Sequence, residues 1–269
     1  ASGLYSAVSG GIENSASARE SSISGGSGNT ASGDFSSVSG GHSNVASELY
    51  STVSGGHDNL ANGRYSSVSG GNKNQAVGQS STVMSGRLNK SLASFSSISG
   101  GISNMAKGVD SSITGGYRNL SVGKNSCTSG GEFNIASGTS STISGGSNNR
   151  AIGRSSAVAS GIQNRSTGKG SCVSGGVSNL AGGIGSSVAG GTFNSAIGPR
   201  SAVGGGVKNH AKTMYSSIPG GRLESADITS TMEIARTTNE TITSQRSNYL
   251  LEDFNGTSLY SNESHALVP

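Results

Sequence analysis

Side chains suited to chemistry are sparse in this chain, and their spacing says more than their type. His42 and His57 stand fifteen residues apart, with Asp58 beside the second. An imidazole pair next to a carboxylate is part of a divalent-metal set, but the pattern supplies no third protein ligand and reads as surface. His210 and His265 have no evident partner. Cys127 and Cys172 lie forty-five residues apart. Serine occurs throughout, yet no nucleophile, base and orienting acid stand together, and no phosphate-binding loop leads into a helix. The sequence therefore offers no catalytic residue, no metal site and no cofactor site. Six Asn-x-Ser/Thr sequons complete the set, at Asn89, Asn119, Asn164, Asn239, Asn255 and Asn262.

Intervals of fifteen and forty-five residues point to the element that positions these groups. The unit Tyr50 to Arg64 repeats in strict register from Tyr5 to Met214, fourteen full copies, and a broken fifteenth begins at Tyr215. With the first residue of a unit counted as position 0, position 1 is Ser and position 6 is Gly in all fifteen. Position 3 is Val or Ile except at Thr128, and position 11 is Ala except at Ser91, Ser121 and Ser166. A fixed period of this length is the signature of a solenoid.

Composition agrees once the register is recognised. Among 269 residues are 45 Gly and no Trp, and only 31% are hydrophobic, values that alone suggest a disordered segment. Disorder has no use for one aliphatic residue per fifteen, whereas a stacked coil needs one in every layer. The core is expected to be long and thin. The net charge of +4 is scattered over variable positions, which argues against a nucleic-acid partner. No apolar run reaches the length of a membrane span. The chain opens inside the repeat phase, at Ala1 to Leu4, and so reads as a processed or partial product.

Alternation of period two around positions 1, 3, 5 and 9, 11, 13 predicts two short strands per unit, joined into one flattened coil. Gly-Gly at positions 5 and 6 is expected to supply positive φ at one corner, and Gly at position 13 to make the other. The fold class is all-β, a single-stacked parallel β-solenoid of 15-residue coils over residues 1–229, with a non-repeat tail over 230–269. Fifteen coils at about 4.8 Å span roughly 70 Å, and the two cysteines fall roughly 14 Å apart, beyond disulfide reach. Adjacent histidines stack at about 5 Å on the same spacing.

Position 9 is Asn in every full unit, and a structural ladder is expected of Asn14, Asn29, Asn44, Asn59, Asn74, Asn104, Asn134, Asn149, Asn179, Asn194 and Asn209, each bonded to the next coil. Asn89, Asn119 and Asn164 occupy the same inward position and are expected to be unmodified; Asn239, Asn255 and Asn262 in the tail are the candidate glycosylation sites. Outward positions 2 and 4 are small, giving a flat, weakly polar face. Positions 10 and 12 carry Val45, Leu60, Val77, Leu92, Met105, Leu120, Val122, Ile135, Ile152, Leu180 and Ile197, an apolar stripe read as an interface with another chain. In the tail, Ser230 to Glu233 has capping-box spacing and starts a short helix reaching about Arg246, and Tyr249, Leu250, Leu251 and Phe254 form an apolar cluster. Those segments read as a cap or a docking element.

The pairs Ser36-Ser37-Val38-Ser39-Gly40-Gly41 and Asn44-Val45-Ala46 resemble the haemagglutinin-type head repeats of trimeric autotransporter adhesins, the YadA-like group, over about four fifths of the chain. That resemblance implies a left-handed β-roll, three chains packed side by side and a role in surface attachment; this chain has Ser before the corner glycines where that family has an aliphatic residue. The same pairs also resemble the repeats of ryegrass-type antifreeze proteins, another left-handed β-roll, in which a flat strand face meets ice. The expected function is an extracellular structural or adhesive rod that self-associates as a trimer or filament and engages a cell-surface or matrix ligand. Ice binding and a passive scaffold role in a larger assembly are the alternatives.

Overall fold

The computed structural model describes residues 1–227, and these form a parallel β-solenoid of fifteen coils without a helix. Each coil contributes two strands of two residues at positions 2–3 and 10–11, beginning with β1 (Ala7–Val8) and β2 (Ser15–Ala16). The odd strands stack into one fifteen-stranded parallel sheet ending at β29 (Ser217–Ile218), and the even strands into a second ending at β30 (Ser225–Ala226). Register is constant at fifteen residues, as in Val38↔Val53 and Ala46↔Ala61. A third ladder, of single bridges at position 7, runs from Ile12↔Ser27 to Val207↔Arg222, so each coil has three hydrogen-bonded sides where the alternation alone indicates two.

Between the sheets lies the core, one Val or Ile from position 3 and one Ala from position 11 per layer, almost all 0–1% exposed. Two methyl-bearing groups per layer cannot stabilise a coil in isolation; each layer depends on its neighbours' hydrogen bonds and contacts. Where Ala becomes Ser, the hydroxyl finds a partner. Ser91 and Ser166 meet the position 1 hydroxyls of Ser96 and Ser171 at 2.7 Å. Ser121 meets Thr128 at 2.9 Å, so two departures from the repeat, in neighbouring layers, satisfy each other.

The corners depart from expectation in an instructive way. Position 6 is left-handed in every coil, with φ of 79–120°, but position 5 is not. A Cβ at position 6 would stand 2.0–2.3 Å from the next coil's position 6 carbonyl oxygen, so both conformation and space demand Gly there. A Cβ at position 5 generally meets nothing within 4 Å, as at Gly10 and Gly130, so that glycine faces outward. At position 13 the glycine serves close approach, not positive φ: a Cβ would lie 1.9–2.2 Å from the next coil's carbonyl oxygen. Ala18, Glu48, Ala93 and Thr213 stand at that same position in four coils.

Positive φ at the other corners falls on positions 0 and 8, where twenty-seven non-glycine residues, including Tyr50, Tyr65 and Phe133, adopt φ of 52–62°. The hydrogen bonds supply the reason. Most amides donate forward, as Val45 N–H does to Asn59 O at 2.8 Å and Thr52 N–H to Ser66 O at 3.0 Å. The left-handed residues turn their peptide plane over and donate backward: Tyr50 N–H to Asp34 O at 2.9 Å, and Ser43 N–H to Ser27 O at 2.9 Å. Every coil is thus tied in both directions. A left-handed L-residue costs about 1–2 kcal/mol, and the bond it forms offsets part of that.

Coil fifteen closes although its sequence breaks. Glu224 replaces the ladder Asn, yet its N–H donates to Asn209 Oδ1 at 3.0 Å and β30 pairs normally. The helix expected over 230–246, the Tyr249–Phe254 cluster and Asn239, Asn255 and Asn262 lie outside the described residues.

Candidate interaction surfaces

Interior and surface residues separate cleanly by position. All fourteen ladder asparagines are placed alike: in Asn44, Nδ2 donates to Gly40 O and Gly56 O, both at 2.9 Å, and Oδ1 accepts from Asn59 N–H at 3.0 Å. Both amide protons are committed and, from Asn29 to Asn209, the side chains are 0–1% exposed, which makes the ladder structural. Asn89, Asn119 and Asn164 share this geometry, so none offers a nitrogen to a glycan.

Position 1 serines are as deeply buried but less evenly bonded. Ser21, Ser96 and Ser216 donate to the position 13 carbonyl of their turn, whereas Ser36, Ser81, Ser111, Ser126, Ser141, Ser156, Ser186 and Ser201 have no side-chain partner.

On the surface, His42 and His57 stack with ring centroids 5.0 Å apart, at the distance the coil spacing implies. His57 Nδ1 lies 3.0 Å from Asp58 and 3.1 Å from Asn72 Nδ2. Among the described residues no three His, Cys, Asp or Glu gather to hold a metal. Cys127 and Cys172 are both free, in the same column three layers apart. Asp227 is paired with Lys212 at 3.1 Å, and that hydrogen bond holds its carboxyl below the usual carboxylate range.

The apolar stripe is divided between two columns, positions 10 and 12, and is uneven in content. Coils three to ten each present at least one of its aliphatics, from Val45 and Leu60 through Val77, Leu92 and Met105 to Leu120, Val122, Ile135 and Ile152. At position 10 the second sheet stacks Met105, Leu120 and Ile135 in direct register. Cations share the column: Lys90 precedes Met105, and Arg150 and Arg165 follow Ile135.

Two surface features need the stacking register to become visible. At position 0, Phe35, Tyr50 and Tyr65 form a parallel stack, with centroids 4.7 and 5.3 Å apart, flanked by the guanidinium groups of Arg19 and Arg64. The second is a groove of about 480 Å³ between positions 8 and 10 of four consecutive coils, bounded by Arg118, Phe133, Asn148 and Gln163 on one side and Leu120, Ile135, Arg150 and Arg165 on the other. Reading positions 8 and 10 down the repeat, rather than along the chain, is the signal that finds it.

No protein-family model matches the chain, and no curated protein matches it. Among the described residues no helix is long and apolar enough to cross a membrane.

Proposed function

We propose that the chain is a non-enzymatic, extracellular structural or adhesive rod whose apolar column packs against identical chains, as a trimer or filament, and so presents the remaining faces to a surface ligand. The observation that carries this reading is the division of labour by position. Interior positions are consumed by the ladder and the thin core, while outward positions 10 and 12 together place at least one aliphatic side chain, most of them half-buried, on each of eight consecutive coils. An outward apolar stripe of that length marks a contact more often than it marks solvent. The likeness to adhesin head repeats, with its left-handed coil and side-by-side packing, points the same way.

Light scattering with negative-stain imaging tests it. The wild type is expected to form a discrete oligomer or a filament, and Leu60→Lys with Met105→Lys to return it to a monomer with its circular dichroism intact. Lys90 already occupies position 10, so the coil tolerates that residue. A wild type that stays monomeric at every concentration would overturn the self-association.

A second reading rests on the opposite sheet. There Ser37, Thr52, Ser67, Thr82, Ser97 and Ser112 form a straight column of small hydroxyls in register, a surface suited to ordering water against ice. Ser67→Tyr is expected to abolish ice shaping under this reading and to change nothing under the first.

A further inference from the structure

Charge is distributed unequally along the coils. Residues 1–110 carry six Lys or Arg and six Asp or Glu, whereas residues 111–223 carry ten Lys or Arg and one acid, Glu132. The groove between positions 8 and 10 lies within the basic stretch. Arg150 and Arg165 are register partners on adjacent strands, which sets their backbones about 4.8 Å apart. Like charges placed so are unfavourable without a counter-charge. Among the described residues the ion pairs are Arg19 with Glu20, His57 with Asp58 and Lys212 with Asp227, so neither arginine is neutralised there. Beside them, Leu120 and Ile135 are half-buried and form an apolar floor.

From this we propose that the groove binds a linear acidic polysaccharide lying along the solenoid axis. The bidentate forks of Arg150 and Arg165 would take successive sulfate or carboxylate groups, and the floor would take the C–H face of a sugar ring. Four coils give the site a length of about 14 Å between its end layers, enough for a short run of an extended chain. A nucleic acid is the poorer fit, because the Arg118 guanidinium already lies over the Tyr117 and Phe133 rings at 5.1 and 5.7 Å and closes those faces to base stacking. Self-packing is therefore assigned to the stripe before this segment, in coils three to seven, since like columns meeting at the groove would juxtapose their arginines. The proposal gives the attachment reading a ligand class, and rests on that reading for its biological use but not for the binding.

The test is fluorescence anisotropy at low salt with the whole chain and four labelled probes: heparin, polygalacturonate, oligo(dT) and uncharged dextran. Arg118→Ser, Arg150→Gln and Arg165→Gln are combined in one variant; other coils carry Ser43 at position 8 and Gln75 at position 10, so the fold accepts these residues. A control variant, Arg64→Gln with Lys73→Ser and Lys90→Gln, removes the same charge from the balanced half. Heparin or polygalacturonate is expected to bind, to weaken about tenfold or more in the groove variant and less than about twofold in the control, while dextran does not bind. Equal losses in both variants, tighter binding of oligo(dT) than of either acidic polysaccharide, or no binding by the wild type would each overturn the proposal. Light scattering on the same samples keeps the two readings apart. A monomer that binds refutes only the self-association, and an oligomer that does not bind refutes only the groove.

Discussion

The two halves of the solenoid share one coil geometry and differ on the surface. In the amino-terminal half the charges balance, and an aromatic stack of Phe35, Tyr50 and Tyr65 runs along a corner; in the carboxy-terminal half, residues 111–227, ten of thirteen charged side chains are basic and arginines flank a groove. The division is internal as well. The buried hydrophobic residues form one cluster from Ala16 to Ile113 and another from Ala136 to Ala226. Between them lie the two neighbouring layers in which Ser121 replaces Ala and Thr128 replaces Val or Ile, a hydrogen-bonded polar pair. In a repeat protein each coil answers only to its neighbours. A surface can therefore diverge from one end to the other while the positions that stack stay fixed.

The strongest way to break this arrangement is to act at the boundary. Gly131 has φ of 79°, and a Cβ on it would lie 2.1 Å from Gly146 O and 2.6 Å from Asn134 Nδ2. Gly131→Ala is expected to destabilise its coil by about 3 kcal/mol or more, from overpacking and the left-handed conformation together. Calorimetry should then show two transitions, one for each half. Gly130→Ala, one residue earlier and facing open space, should leave a single transition near that of the wild type.

Next in size is the ladder in the same layer. Asn134 donates to Gly130 O and Gly146 O and accepts from Asn149 N–H, all at 2.9 Å. Asn134→Ala strands the buried Asn149 N–H and takes one donor from Gly130 O and from Gly146 O, the latter keeping Glu132 N–H at 2.9 Å, and should cost about 2–3 kcal/mol in chemical denaturation. Ser141, equally buried, has no hydroxyl partner, and Ser141→Ala should change stability by less than about 0.5 kcal/mol. In the sequence these two positions look alike, since each is invariant through the full repeats. Invariance reports that a site is buried and narrow; it does not report whether its polar atom carries a bond.

The same limit explains what was and was not legible. The period gave the coil, the two sheets, the core residues and the ladder, because each depends on one residue type recurring at one position. One corner assignment differs: of the Gly-Gly pair only position 6 has positive φ, and the remaining positive φ falls on Tyr50, Phe133 and their equivalents, which donate backward to the preceding coil. No residue type announces that reversal. The groove was missed for a different reason: Arg118, Arg150 and Arg165 are spread over forty-eight residues and become neighbours only in the stacking direction.

Fusing the two cores is a milder test. Ser121 Oγ bonds Thr128 Oγ1 at 2.9 Å and Ser112 O at 3.2 Å. Ser121→Ala with Thr128→Val removes both partners together and restores the consensus layer, so it should stabilise the solenoid by about 1 kcal/mol and sharpen its transition. Ser121→Ala alone leaves the Thr128 hydroxyl buried without its partner, and should lower stability by about 1 kcal/mol. If the double variant unfolds no more cooperatively than the wild type, the boundary lies in the surface and not in the core.

The smallest expected effect separates the aromatic corner of the amino-terminal half from an equivalent corner without a stack. Phe95 has φ of 57°, is 57% exposed and has no ring partner among the described residues. Phe95→Gly relieves a left-handed residue at the expense of some chain entropy, and should raise stability by about 0.5 kcal/mol. Tyr50 has φ of 55° but stacks on both Phe35 and Tyr65. Tyr50→Gly gains the same relief and loses two ring contacts of about 0.5–1.5 kcal/mol each, so it should lower stability by about 1 kcal/mol. Opposite signs for the two variants in matched denaturant titrations would assign the stack an energetic role in tying successive coils together. Like signs would make the three rings independent surface residues, and the amino-terminal half would then be distinguished from the other by its charge alone.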